Sequence, residues 1–331
     1  MLTNDNTLLK PHSRKYLDTS ACINNLPRLG GVVIVCCLLA ACKKPMVKEA
    51  ALMPPIDTNT VVQSVQVQAF SSNQSGYGAR IADLVKNGIT REGQISVLNQ
   101  GGEAILTGTL TLGKIDSKAY HKSSEVTEEK DGRKYTKTVY TYYYRKQLTA
   151  NATYSLNRGS QAIAGNNFAT NYDQEWNAET AAEASAKSLN DEEIISICLD
   201  TLAEDIVLAV SPHQQNLAFE LQKGSHLKWD VWNLPHKGLK LGVDYYEKGL
   251  YPQASQYWNQ VLEQATEPRD QAAAHYNLGV YEVHEGNYGK AFSHFREADG
   301  LVPNKTLYMQ ALKKVERAAQ GRNELKMMGV Q

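Results

Sequence analysis

Residues 235–304 repeat themselves. Leu241-Gly242, Gly249, Tyr251, Ala254 and Trp258 return as Leu278-Gly279, Gly286, Tyr288, Ala291 and Phe295, each pair offset by the same thirty-seven residues. A fixed offset of this length marks a supersecondary unit that cannot bury its apolar face alone and must stack on a copy of itself. The shared small residues let the two helices of a unit approach closely, and the aromatics fill the space between units. Most of these residues are therefore core.

The spacing Leu241-Gly242-x-x-Tyr245, followed by Gly249, Tyr251, Ala254 and Trp258, resembles the tetratricopeptide repeat. Ala298 and Pro303 complete the second copy. The three residues beyond the family's usual length of about 34 fall in the 266–270 linker, where an insertion is easily accommodated. Tyr281 stands one place early for the family's tyrosine, and the first helix of each unit lacks the family's tryptophan. Two units and a capping helix over 306–319, with a tail to 331, fall below the three repeats an independent array needs. The array is therefore expected to pack on the preceding domain through Leu217, Leu221, Leu227, Trp229 and Trp232 of a 213–234 connector. The resemblance implies a protein-binding role on the concave face.

The other end of the chain carries a basic leader (Lys10, Arg14, Lys15, Arg28) and then an apolar run over 29–41. Thirteen residues are too few for a membrane span, which needs about twenty, and fit the apolar core of a signal peptide. The run ends Leu39-Ala40-Ala41-Cys42, which resembles the lipobox of bacterial lipoproteins. The resemblance implies a signal peptide over 1–41 and lipid (diacylglycerol, palmitate) on Cys42, a firm anchor without a spanning helix. Lys43-Lys44 follows the cysteine in place of an aspartate, which favours the inner leaflet of an outer membrane, facing the periplasm. Residues 42–60 are polar and proline-bearing and read as a lipidated tether.

Between 61 and 212 the pattern is mixed α and β. Val65, Val67 and Ala69 alternate as one strand face, and Ser75-Gly-Tyr-Gly78 turns into a helix carrying Ile81, Leu84, Val85 and Ile89 on one side. That loop lacks the lysine and the spacing of a phosphate cradle. Short strand character at 95–98 precedes a clear strand with Ala104, Leu106, Leu110 and Leu112 opposite Thr107, Thr109 and Thr111. Residues 113–134 are hydrophilic and read as a loop or hairpin tip. A long strand follows, with Tyr140, Tyr142, Tyr144, Leu148, Ala150, Ala152, Tyr154 and Leu156 on one face, then another near 162–168. Asn190-Asp-Glu-Glu193 opens a closing helix with Ile194, Cys198, Leu202, Ile206 and Val210 inward. This order, with Ala79–Lys86 as the helix, 95–98 as a strand and Gly102–Leu110 as an Ala-x-x-x-x-Gly strand, resembles the curli-secretion-channel (CsgG-like) family. That small domain is itself similar to the N-terminal domain of TolB and to the lipoprotein activators of penicillin-binding proteins. The expected fold class is α+β: a small CsgG-like αβ domain, then an all-α tetratricopeptide array.

Chemistry is sparse. Positive and negative side chains balance at 35 each, so charge alone does not invite nucleic acid. Cys198 is the one cysteine beyond residue 42 and falls on an apolar helix stripe, a core position with no internal disulfide partner. The eight histidines show no metal spacing, and His275, His284 and His294 read as separate packing or solvated positions. Glu128-Glu129 reads as a solvated loop and Glu192-Glu193 as a helix start. No nucleophile elbow, catalytic cysteine setting, cofactor motif or metal site emerges, so no enzyme and no cofactor are expected. The expectation is an envelope scaffold or accessory factor with protein partners of the cell envelope, membrane contact through lipid on Cys42 and no nucleic acid; homo-oligomerisation is left open. The alternative is a lipoprotein that binds a small ligand or peptidoglycan in a cleft of the αβ domain.

Overall fold

The computed structural model describes residues 45–58, 60–224 and 234–330, with the side chains of 234–236 left undescribed. The signal peptide, the lipobox residues Leu39, Ala40 and Ala41, the acceptor Cys42, and Leu227, Trp229 and Trp232 lie outside the described residues. The chain is α+β, as its pattern requires. It begins with strand β1 (Met46–Met53), then β2 (Ser64–Val67), β3 (Ser71–Ser72), helix α1 (Tyr77–Glu92), β4 (Ser96–Val97) and β5 (Ala104–Leu112). It continues with β6 (Asp116–Lys130), β7 (Arg133–Arg158), β8 (Gln161–Ala178), α2 (Ala181–Ala186), α3 (Asp191–Val210) and β9 (His213–Glu220). Five helices close the chain: α4 (Leu234–Tyr246), α5 (Tyr251–Gln264), α6 (Pro268–His284), α7 (Tyr288–Leu301) and α8 (Thr306–Met327).

The main sheet is mixed. β2 lies parallel between β4 and β5, while β5 runs antiparallel to β7, which also pairs with β6 and β8. Its inner face carries the alternating set read from the sequence from Leu148 to Leu156 on β7 and on β2 and β5, whereas Tyr140, Tyr142 and Tyr144 lie outside the core and Tyr140 is exposed. α1 and α3 bury Ile81, Val85, Ile89, Ile194, Cys198 and Leu202 in the same core. α3 starts with a complete capping box: Asn190 Oδ1 accepts from the Glu193 amide at 2.9 Å, and Glu193 Oε2 accepts from the Asn190 amide at 2.8 Å. Gly78 is required by crowding, since a Cβ there would meet the Phe70 carbonyl oxygen at 1.9 Å. The glycine loop is thus a packed strand-to-helix turn. Ala69 is exposed and Phe70 takes the inward place, because β2 ends at Val67 and the chain leaves strict alternation.

Four expectations need correction. Of the two readings of 113–134 the hairpin holds and the loop does not: β6 spans fifteen of these residues and pairs with β7 down to Lys130↔Arg133, so the tip alone is the turn. Asp131 (φ 55°) and Gly132 (φ 71°) close that hairpin, both with the positive φ that a type I′ turn demands. The 42–60 tether reading fails over Met46–Met53, because β1 forms an antiparallel ribbon with β9 in which Ala51 and Met53 are buried. The 213–234 connector correspondingly starts as a strand. The capping helix is longer than 306–319 and runs to Met327.

Two cores result. One lies between the main sheet and its helices; the other joins α4–α8 to the β1–β9 ribbon, with Leu217 and Leu221 packed into it as expected.

Candidate functional site

The repeat geometry explains its own sequence. A Cβ on Gly242 would lie 2.2 Å from Trp258 Nε1, and one on Gly279 would lie 2.6 Å from the Phe295 ring. In each unit, therefore, the glycine of the first helix is the floor on which the aromatic of the second helix rests. Ala254, Trp258, Ala291, Phe295 and Ala298 are fully buried, and Leu278 nearly so. Leu241, Tyr245 and Tyr251 are half-buried, with Tyr245 stacked on Tyr257 at 5.2 Å. Tyr288 is buried under the Arg322 guanidinium. Gly249 (φ 75°) and Gly286 (φ 71°) turn the chain between the helices of each unit in the left-handed region that glycine tolerates. Pro303 is exposed just after α7. Tyr246, which the family spacing passes over, fills the core beside Trp258 and Tyr251.

A concave surface would be built from the first helices of the units, α4, α6 and α8. The ribbon already covers that face. Phe219 of β9 stacks on Phe295 at 5.9 Å, and Met53 and Pro54 lie against Gly321 of α8. Asn277 of α6 is fully buried and reads main chain alone: its Nδ2 donates to the Gln222 carbonyl at 2.8 Å, and its Oδ1 accepts from the Gln222 amide at 2.8 Å. Lys314 of α8 donates to the Ala218 carbonyl with its ammonium 5.2 Å from the Phe219 ring, and Lys305 Nζ donates to Gln222 Oε1 at 3.0 Å. On β1, the buried Glu49 carboxylate accepts from the Tyr246 hydroxyl at 2.6 Å and faces His284 Nδ1 at 2.9 Å. Burial, then the bond to Glu49, pushes the Tyr246 hydroxyl far above its usual range, so it stays a donor. A buried carboxylate without such partners would be costly. The array thus holds an extended segment of its own chain.

The other conspicuous surface is the β6–β7 hairpin. Its outer half extends past β8, whose pairing with β7 stops at Tyr142↔Ala178. Tyr120 stacks on Tyr143 at 5.2 Å with Lys122 Nζ 4.5 Å from the Tyr143 ring, while His121 meets Tyr140 and Tyr142 on the opposite face. Arg145 pairs with Asp173, and Lys137 with Glu128. Glu192 accepts from the Tyr77 hydroxyl at 2.5 Å, and Glu193 completes the helix cap. Burial pushes the Cys198 thiol up to about 11, which suits an inert core sulfur. His275 and His294, nineteen residues apart in sequence, bring their Nδ1 atoms within 3.1 Å. Only the fold reveals this pair, because the two histidines sit on different helices.

Among the described residues are two open depressions, of about 240 and 490 Å³. One lies between the ribbon and α8, beside Leu217, Lys314 and Arg317, and the other at the Pro268–Pro303 corner. No helix of the described residues is long and apolar enough to cross a membrane.

Comparison with known proteins agrees on the array. Residues 239–305 match the family model of the tetratricopeptide repeat. No curated protein matches the chain. Among solved structures, an uncharacterized lipoprotein B from Nitrosomonas europaea is 13% identical over 47% of this chain and 86% of its own, with a TM-score of 0.28. A minor lipoprotein from Acinetobacter baumannii is 12% identical over 47% of this chain and 98% of its own, with a TM-score of 0.24. A PelC dodecamer from Paraburkholderia phytofirmans is 10% identical over 50% and 98%, with a TM-score of 0.25. Likeness at this level carries no argument about fold or role.

Proposed function

We propose that this chain is a lipid-anchored, non-enzymatic scaffold of the bacterial envelope, attached through Cys42 to the inner leaflet of an outer membrane. It serves there as an accessory factor of an envelope assembly, such as secretion, pilus or cell-wall machinery, through protein–protein contacts. The match of 239–305 to the tetratricopeptide repeat is the observation that carries the protein-binding part. The lipobox-like Leu39-Ala-Ala-Cys42 carries the anchor. Because the ribbon already fills the face formed by α4, α6 and α8, partners are left the outer helices α5 and α7 and the projecting hairpin. Phe292 on α7, and Tyr135 and Tyr140 on the hairpin, are exposed there.

Two measurements test the two parts. Cys42→Ala should block incorporation of labelled palmitate and leave the uncleaved precursor; labelling that persists in the variant contradicts the anchor. Photo-cross-linkers at positions 140 and 292 in intact cells should yield a discrete protein adduct from at least one position. Absence of adducts at both, together with co-sedimentation of the purified chain with isolated peptidoglycan, would favour the ligand-binding alternative.

A further inference from the structure

Two imidazoles meet across the second repeat. His275 on α6 and His294 on α7 have Nδ1 atoms 3.1 Å apart, with ring centroids 5.4 Å apart and planes inclined by 40°. By the thirty-seven-residue offset these positions correspond to Gly238 and Tyr257 in the first repeat, where no such pair can form. The pair therefore belongs to the second unit and is not a consequence of the repeat construction.

Burial holds both imidazoles below their usual range, and His275 adds to the effect on His294. The two Nδ1 atoms share an N–H···N hydrogen bond, so a metal held between them must displace that proton, leaving each ring its other proton on Nε2.

The separation is what a metal centre asks of two adjacent nitrogen ligands. Nitrogens bound at about 2.0–2.1 Å stand roughly 3.3 Å apart around a tetrahedral ion and about 2.9 Å apart when cis in a square or octahedral one. The observed distance falls between. Histidine χ2 is a broad torsion, so a small ring rotation can aim both lone pairs at one point.

We propose that His275 and His294 form an interhelical clip for a divalent transition metal of the imidazole-preferring class, Cu(II), Ni(II) or Zn(II), joining α6 to α7. Among the described residues no set of three His, Cys, Asp or Glu side chains converges on a common point. The clip therefore supplies two protein ligands and leaves its other positions to water, unlike a closed four-ligand structural zinc site. Metal and protons compete for the same ring nitrogens, so acid weakens binding.

The test uses the full chain without an affinity tag, melted with Cu(II), Ni(II), Zn(II) or Mg(II) chloride at pH 7.5 and pH 5.5. The melting temperature should rise by several degrees with Cu(II) and less with Ni(II) or Zn(II), stay unchanged with Mg(II), and lose the shift at pH 5.5. His275→Ala and His294→Ala should each abolish the shift, and His284→Gln should keep it. A shift that survives both alanine variants overturns the assignment, as does a wild type unmoved by millimolar Cu(II). Should the variants fail to fold, the wild-type Cu(II) electron paramagnetic resonance spectrum decides: coupling to two imidazole nitrogens is required, and one or none rejects the clip.

Discussion

The two cores of this chain are closed by different means. The αβ core is built from residues local to its own stretch: the inner face of the sheet and the apolar sides of α1 and α3, all between Val62 and Val210. The array core borrows. Its helices supply Trp258, Tyr276, Phe295 and Tyr308, but Ala51, Met53 and Phe219 come from two strands outside the repeat and Leu221 from just beyond β9. Glu49 reaches Tyr246 across 197 positions of sequence. A solenoid needs neighbours to cover its ends, and two units are fewer than usually suffice. Here a β-ribbon does what further repeats would do. The same contrast appears inside the array. Trp258 donates to the Leu239 carbonyl at 3.4 Å within its own unit, whereas Phe295 takes its stacking partner, Phe219, from the ribbon.

If that contrast is right, losing a ribbon side chain should hurt as much as losing a repeat side chain. Trp258→Ala and Phe295→Ala should each cost about 3–5 kcal/mol in chemical denaturation, and Phe219→Ala should fall in the same range. A Phe219→Ala loss near zero would detach the ribbon from the array core. The Gly279→Ala variant sharpens the point through its sign. In an open helix that change stabilises by about 1 kcal/mol. Against the Phe295 ring it should instead destabilise by about 1–3 kcal/mol, read as a lower melting temperature. Asn277→Leu should cost a comparable or smaller amount, about 1–3 kcal/mol, because it strands the amide and carbonyl of Gln222 without partners. A neutral result there would mean that this segment is not held by the array.

Legibility in the sequence followed burial. The repeat was readable because its small and aromatic positions recur at one offset, and α3 because Asn190 and Glu193 carry a local capping signal. The inner face of β5 was readable because Ala104, Leu106, Leu110 and Leu112 fall opposite Thr107, Thr109 and Thr111. β1 escaped because its inward face includes Glu49, whose burial makes sense only beside Tyr246 and His284. β6 escaped because nearly every residue of it is exposed, so no hydropathy alternation can arise; its single local clue was the Asp131-Gly132 turn. The histidine pair and the Asn277 clamp depend on which helices become neighbours, and no spacing rule within one helix encodes that.

The central claim, that the array is completed by a ribbon from the same chain, is tested most directly by thermal unfolding of residues 235–331 alone beside the chain from residue 44 onward. The longer chain should unfold in one sharp transition that includes the helices. The fragment, deprived of Phe219, Leu221, Ala51 and Met53, should melt broadly, at much lower temperature or without a cooperative transition. A fragment that unfolds sharply near the temperature of the longer chain would contradict the account.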